Sequence, residues 1–186
     1  LLINPNLHIE LYLHQLMPIV LTCLVGKKLC RNSMENHWKL RDFAASIVAY
    51  VCSKFGANYH TLQPRLTKTL LHAFLDPTRP RTTHYGAIVA IGALGPSVVQ
   101  LLLLEPVQNS NVAAFCRLLE PELRSDNNQV RFEAQMCFGA LLEACSSFFV
   151  RLSRFFSPVY DDTISRINES APTTKKIAES DQMEID

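Results

Sequence analysis

The run Leu40-Arg41-Asp42-Phe43-Ala44 returns without gaps as Thr83-His84-Tyr85-Gly86-Ala87 and as Val130-Arg131-Phe132-Glu133-Ala134. Its second residues, Arg41, His84 and Arg131, stand 43 and 47 residues apart. A unit that repeats every 40–47 residues or so is the mark of stacked helix pairs, in which no pair can bury its apolar face alone. Each copy is followed by small and aliphatic residues, as in Ala87-Ile88-Val89-Ala90-Ile91-Gly92-Ala93. Small side chains let helices approach closely, which suits the inner member of a pair. Ahead of each copy a proline sits among leucines: Leu16-Met17-Pro18, Leu62-Gln63-Pro64 and Leu119-Glu120-Pro121. A proline in a helix bends or restarts it, so the recurrence marks the outer helix of each pair.

Periodicity extends this reading in both directions. In 36–56, Leu40, Phe43, Ala44, Ile47, Val48, Val51, Cys52 and Phe55 recur at three and four, with Gly56 placed to end the helix. In 130–156 the stripe runs from Ala134 and Phe138 through Leu141, Leu142 and Cys145 to Phe156, with Asn127-Asn128 ahead of it and Pro158 expected to stop it. Further helices are expected at 9–25, 59–75, 81–95 and 110–124, with a short apolar piece at 97–105 and turns at Asp76-Pro77, Arg79-Pro80 and Gly95-Pro96. Nothing alternates with period two over a strand's length. The fold class is all-α, an α-solenoid of antiparallel helix pairs, three of them clear.

Composition narrows the function. The 186 residues are 48% hydrophobic and 19% charged, enough for one domain with a core. With 18 Lys+Arg against 17 Asp+Glu, the balance argues against a bulk nucleic-acid or acidic-membrane binder. Six glycines leave little for Rossmann or phosphate-loop chemistry. The longest apolar stretch, 16–25, is about half of a bilayer span, so no membrane segment is expected. Charge divides near Asp161: residues 1–160 hold 15 basic and 10 acidic residues, 161–186 hold 3 and 7. The body is thus the solenoid domain, 1–160, and 161–186 reads as a polar, acidic tail or linker, too poor in apolar residues to fold alone. The chain starts at Leu1 without an initiator Met or a signal sequence and reads as a piece of a longer protein. The six cysteines, Cys23, Cys30, Cys52, Cys116, Cys137 and Cys145, lie among apolar residues and read as reduced thiols of an intracellular protein.

The strings Leu13-His14-Gln15-Leu16-Met17-Pro18, Asn36-His37-Trp38-Lys39-Leu40-Arg41-Asp42-Phe43-Ala44-Ala45, Arg65-Leu66-Thr67-Lys68-Thr69-Leu70 and His84-Tyr85-Gly86-Ala87-Ile88 carry a resemblance. They are similar to the C-terminal HEAT-repeat domain of the sixth TATA-binding-protein-associated factors, over about residues 1–124. That family belongs to general transcription factor IID, with the same or a paralogous chain in SAGA-type coactivators. The resemblance implies a nuclear scaffold of stacked helices that contacts other subunits, joined in the family to an N-terminal histone fold. A generic HEAT repeat places an Asp about six residues before the Arg; here Glu35, Thr78 and Ser125 stand there, so the ladder is partial. The segment 96–109 leaves room for a degenerate extra pair, giving four or five in all.

Candidate residues fall into two groups. Pro18, Pro64 and Pro121, Trp38, Arg41 with Asp42, His84 with Tyr85 and Gly86, and Arg131 occupy repeat positions and are expected to be structural. The arginines are expected to tie down carbonyls of neighbouring helices. Candidates for partner contact are Lys27, Lys28, Arg31, Arg65, Lys68, Arg79 and Arg81, within a 27–81 region holding ten basic and three acidic residues, and the aromatic run Phe148, Phe149, Phe155 and Phe156. The basic region suits an acidic partner segment or, alternatively, the DNA backbone. The aromatics suit self-association or docking of another subunit, unless Val159, Tyr160, Ile164 and Ile167 fold back over them. No nucleophile elbow or H-E-x-x-H pattern occurs, so neither an enzyme nor a cofactor nor a small-molecule substrate is expected. Zinc on Cys23, Cys30 and His37, with His60 as a fourth ligand, is the weaker alternative, for want of a C-x-x-C.

Overall fold

Prolines and glycines set several of the helix boundaries. The computed structural model describes residues 8–30, 35–104 and 111–170, the side chains of 151, 152 and 154–170 excepted. After a 3-10 turn at Ile9–Tyr12, the helices are α1 (Leu13–Val25), α2 (Trp38–Phe55), α3 (Leu62–Leu75), α4 (Arg81–Ala93), α5 (Pro96–Val99), α6 (Asn111–Leu123) and α7 (Asn128–Ser170). No strand occurs among the described residues. Pro80 precedes α4 with extended backbone, and its carbonyl receives the amides of Thr83 and His84. Gly95 turns the chain from α4 into α5 at φ +106°, a conformation open to glycine and strained for other residues. Pro96 then supplies the first helical residue, where no amide is needed.

The chain divides into two units, 1–149 and 150–186. In the first, α1 pairs with α2 and α3 with α4, while α4 also packs on α1 and α2. α4 buries Thr82 to Ile88 without interruption, together with Ala90 and Ile91, and so lacks a polar face. A helix buried over most of its surface, with only Arg81, Val89, Gly92 and Ala93 partly or fully open, belongs in the middle of a fold. Its Ile88 and Ile91 are wholly buried, as are Leu24, Val48, Val51 and Leu70 of the helices around it. The segment 96–104 is a short helix continued by a π-helical stretch, Gln100–Leu104, that sends Val99 and Leu103 into the same core. This insert lies between the second and third pairs; residues 105–110 lie outside the description.

Two expectations need correction. Phe43 is not in the core: it is 63% exposed and Leu40 42%, while Arg41 is wholly buried. The buried stripe of α2 therefore runs through Trp38, Arg41, Ala45, Val48 and Cys52, because Arg41 has helix-end carbonyls to meet inside. α7 does not stop at Pro158 but continues to Ser170. A proline removes one amide hydrogen bond and crowds one carbonyl, a cost that a long helix can absorb. Within the second unit, 150–170 is thus helical, and the Ser153 hydroxyl donates to the Val150 carbonyl. The rest of the tail, 171–186, and the side chains of Phe155, Phe156, Val159, Tyr160, Ile164 and Ile167 lie outside the description. The three prolines also occupy unlike places: Pro18 is interior to α1, Pro64 lies in the first turn of α3, and Pro121 in the last turn of α6.

Candidate interaction surfaces

The repeat positions meet at the ends of the outer helices. Carbonyls in a helix's last turn have no partner within the helix and need donors from elsewhere. At the end of α1, Arg41 donates from Nη1 to the Leu24 carbonyl at 2.5 Å and from Nη2 to that of Gly26 at 2.7 Å. The Thr83 hydroxyl donates to the Val25 carbonyl at 2.9 Å and the Thr82 hydroxyl to that of Lys27 at 3.2 Å. Arg41 Nε donates to His37 Nδ1 at 3.3 Å. Burial of the guanidinium lowers its pKa to about 10, and burial also lowers that of His37.

His84 occupies the same place on α4, wholly buried, with Nε2 2.9 Å from the Asp76 carbonyl at the end of α3. Its Nδ1 lies 3.0 Å from Arg81 Nη1, which can only donate. His84 is therefore neutral, with its proton on Nε2. Burial, with the Arg81 charge as a lesser cause, holds its pKa below the ordinary histidine value. Arg131 of α7 donates to the Ser125 carbonyl just past α6, at 3.0 Å, and to the Asn128 side chain. Gly86 allows α4 to cross the end of α1: a Cβ there would run into the Leu24 carbonyl oxygen.

Trp38 is buried, its ring 4.7 Å from Tyr85 and 6.0 Å from Phe132, both edge-on. The Tyr85 hydroxyl donates to Asp42 Oδ1 at 2.7 Å, linking α4 to α2. Burial and this carboxylate together push the phenol pKa up.

Not all of the basic 27–81 region is free at the surface. Arg41 is buried. Arg81 makes a two-pronged ion pair with Glu122 of α6, at 2.6 and 2.7 Å, with only 11% of its side chain exposed. Arg79 pairs with Asp76 at 3.0 Å, and the Thr78 hydroxyl and Arg79 hold that carboxylate at about 2. Lys54 lies over the rings of Tyr50 and Phe55. Lys27, Lys28, Lys39, Arg65 and Lys68 are exposed, and Arg31 lies outside the described residues. Glu122 is the partner that the sequence did not signal: it lies 41 residues from Arg81, on another helix pair. Among the described residues no three His, Cys, Asp or Glu side chains gather to hold a metal, and no helix is long and apolar enough to cross a membrane. Cys137 donates to the Arg81 carbonyl, and burial pushes its thiol up to about 12.

At the other end, Phe149 is 56% exposed and Phe148 half-buried, their rings 5.5 Å apart. Phe138, Leu142 and Phe149 recur at four and seven along α7 and share one exposed face.

Residues 1–108, more than half of the chain, match the family described as the TAF6 C-terminal HEAT repeat domain. The chain belongs to this family. It is 52% identical over 147 residues to transcription initiation factor TFIID subunit 6 of Arabidopsis thaliana, covering 77% of this chain and 26% of that protein. It is 42% identical over 145 residues to the SAGA complex/transcription factor TFIID complex subunit Taf6 of Schizosaccharomyces pombe, covering 77% and 31%. The solved TAF6 C-terminal domain from Antonospora locustae is similar at a TM-score of 0.51 and 27% identity, over 73% of this chain and 61% of that one. The chain thus spans about a quarter to a third of the two curated relatives. As a TAF6-type HEAT domain it is an all-α solenoid, and the carbonyl clamps at Arg41, His84 and Arg131 are where its inner helices grip its outer ones.

Proposed function

We propose that this domain is a non-catalytic scaffold within a TFIID- or SAGA-type transcription factor subunit. It would act in the nucleus, supporting assembly of the RNA polymerase II initiation machinery by holding other subunits at fixed positions. The observation that carries this is the clamped stack. Side chains at equivalent places fix successive helix ends, giving a stiff surface, and the buried Arg41 and His84 are engaged by helix-end carbonyls. Relatives named as TFIID and SAGA subunits support the choice of assembly.

The face carrying Phe138, Leu142 and Phe149 supports a contact with a second copy or another subunit, since a stacked-repeat protein stays soluble by keeping uncovered faces polar. Tagged chain introduced into cells is expected to co-purify with TFIID or SAGA subunits. Enrichment no greater than that of an unrelated HEAT-repeat protein would overturn the assignment.

A further inference from the structure

Over α4, between α2 and α7, lies an open cavity of about 420 Å3, within the range of small-ligand and side-chain pockets. Asp42 of α2 stands on one rim and Glu143 of α7 on the other, both exposed. Its floor is Val89, Gly92 and Ala93 of α4 with Ala140 and Ala144 of α7, and the Tyr85 hydroxyl reaches Asp42 at its end. The small floor residues follow from close approach of the two helices: a Cβ on Gly92 would lie 3.2 Å from that of Ala144. Among the described residues no cation pairs with either carboxylate, although residues 1–160 carry 15 basic groups against 10 acidic. Burial first, and then the charges of both carboxylates, raise the pKa of the Tyr85 phenol at the end of the groove.

We propose that this groove docks a basic segment of a partner protein, with an arginine or lysine head between Asp42 and Glu143 and its aliphatic stem on the small-residue floor. Charge complementarity selects this occupant. An acidic or phosphorylated segment would meet two carboxylates, and a purely apolar one would strip water from them without return. A long basic side chain satisfies both halves, its stem covering apolar surface and its head pairing at the rim. The surface is separate from the exposed face of α7 that carries Phe149, and its test is independent of the assembly in which the domain works.

The test is an NMR titration of the isotope-labelled 186-residue chain with the blocked peptide acetyl-Ala-Ala-Arg-Ala-Ala-amide, beside the same peptide carrying neutral citrulline in place of arginine. Saturable shifts are expected at the amides of Tyr85, Gly92 and Ala144 with the arginine peptide, weakening in about 0.5 M salt. Binding of the citrulline peptide, and of the arginine peptide to Asp42→Asn/Glu143→Gln, is expected to be at least about tenfold weaker. The amide oxygen introduced by Asp42→Asn can still accept the Tyr85 hydroxyl, so an unchanged spectrum away from the groove reports an intact fold. Equal binding of the two peptides, shifts that survive in the double variant, or no shifts at these amides would overturn the proposal.

Discussion

Four consecutive carbonyls at the end of α1, Leu24 to Lys27, each receive a side-chain donor from an inner helix: Arg41 takes the first and third, Thr83 the second and Thr82 the fourth. Gly86 makes room for this crossing, whereas a Cβ at Gly139, on α7, would meet nothing within 4 Å. Gly86→Ala is therefore expected to destabilise the domain by roughly 3 kcal/mol, at the top of the range for overpacking, because the obstacle is backbone. Gly139→Ala should instead stabilise by about 0.5–1 kcal/mol through helix propensity. Urea unfolding of both variants checks the pair. His84 gives a pH signature. Its folded pKa lies below the unfolded value of about 6.5, so as pH falls past about 6.5 the unfolded chain takes up the proton first. Stability is then full above about pH 7.5 and declines as pH drops through about 6.5. The urea midpoint should fall between about pH 8 and about pH 5.5, and less steeply in His84→Gln; the same slope in that variant would place the effect elsewhere. The clamps were legible because a repeated position predicts a repeated job, even where His replaces Arg. The ion pair of Arg81 with Glu122 was not, since no local spacing connects residues 41 apart.

At the scale of elements, helix count and order were readable from periodicity and turn residues, but burial around each helix was not. In α2 the apolar stripe is wide enough to admit two orientations, and the need to bury Arg41 leaves Phe43 outside. In α4 threonine and histidine sit inside the core because neighbouring helix ends offer them carbonyls, which no composition count records. α7 outlasts Pro158 because one missing hydrogen bond is small against its length. Its exposed Phe138, Leu142 and Phe149 contribute little to the fold of the chain alone. Phe149→Asp is expected to shift unfolding by no more than about 0.5 kcal/mol, as an exposed substitution should, while lowering any mass above the monomer seen by light scattering. Unchanged mass in a chain that self-associates would remove this face as the contact.

For the whole molecule, near-neutral charge concealed a basic body whose cations are partly engaged within the chain, on carbonyls at the buried Arg41 and on carboxylates at Arg81 and the more exposed Arg79. Exposed lysines and Arg65 remain outside, with an aromatic face on α7 and a groove over α4 rimmed by two carboxylates. Under the proposed scaffold role these are the surfaces that would hold other proteins, on a frame in which Arg41 and His84 are already engaged by carbonyls. The most direct measurement is lysine cross-linking with mass-spectrometric mapping on the assembly purified through this chain. Cross-links from Lys27, Lys28, Lys39 and Lys68 to other TFIID or SAGA subunits, at reproducible positions, are expected of a scaffold. Cross-links confined to the chain itself, in an assembly whose other subunits cross-link to one another, would contradict it.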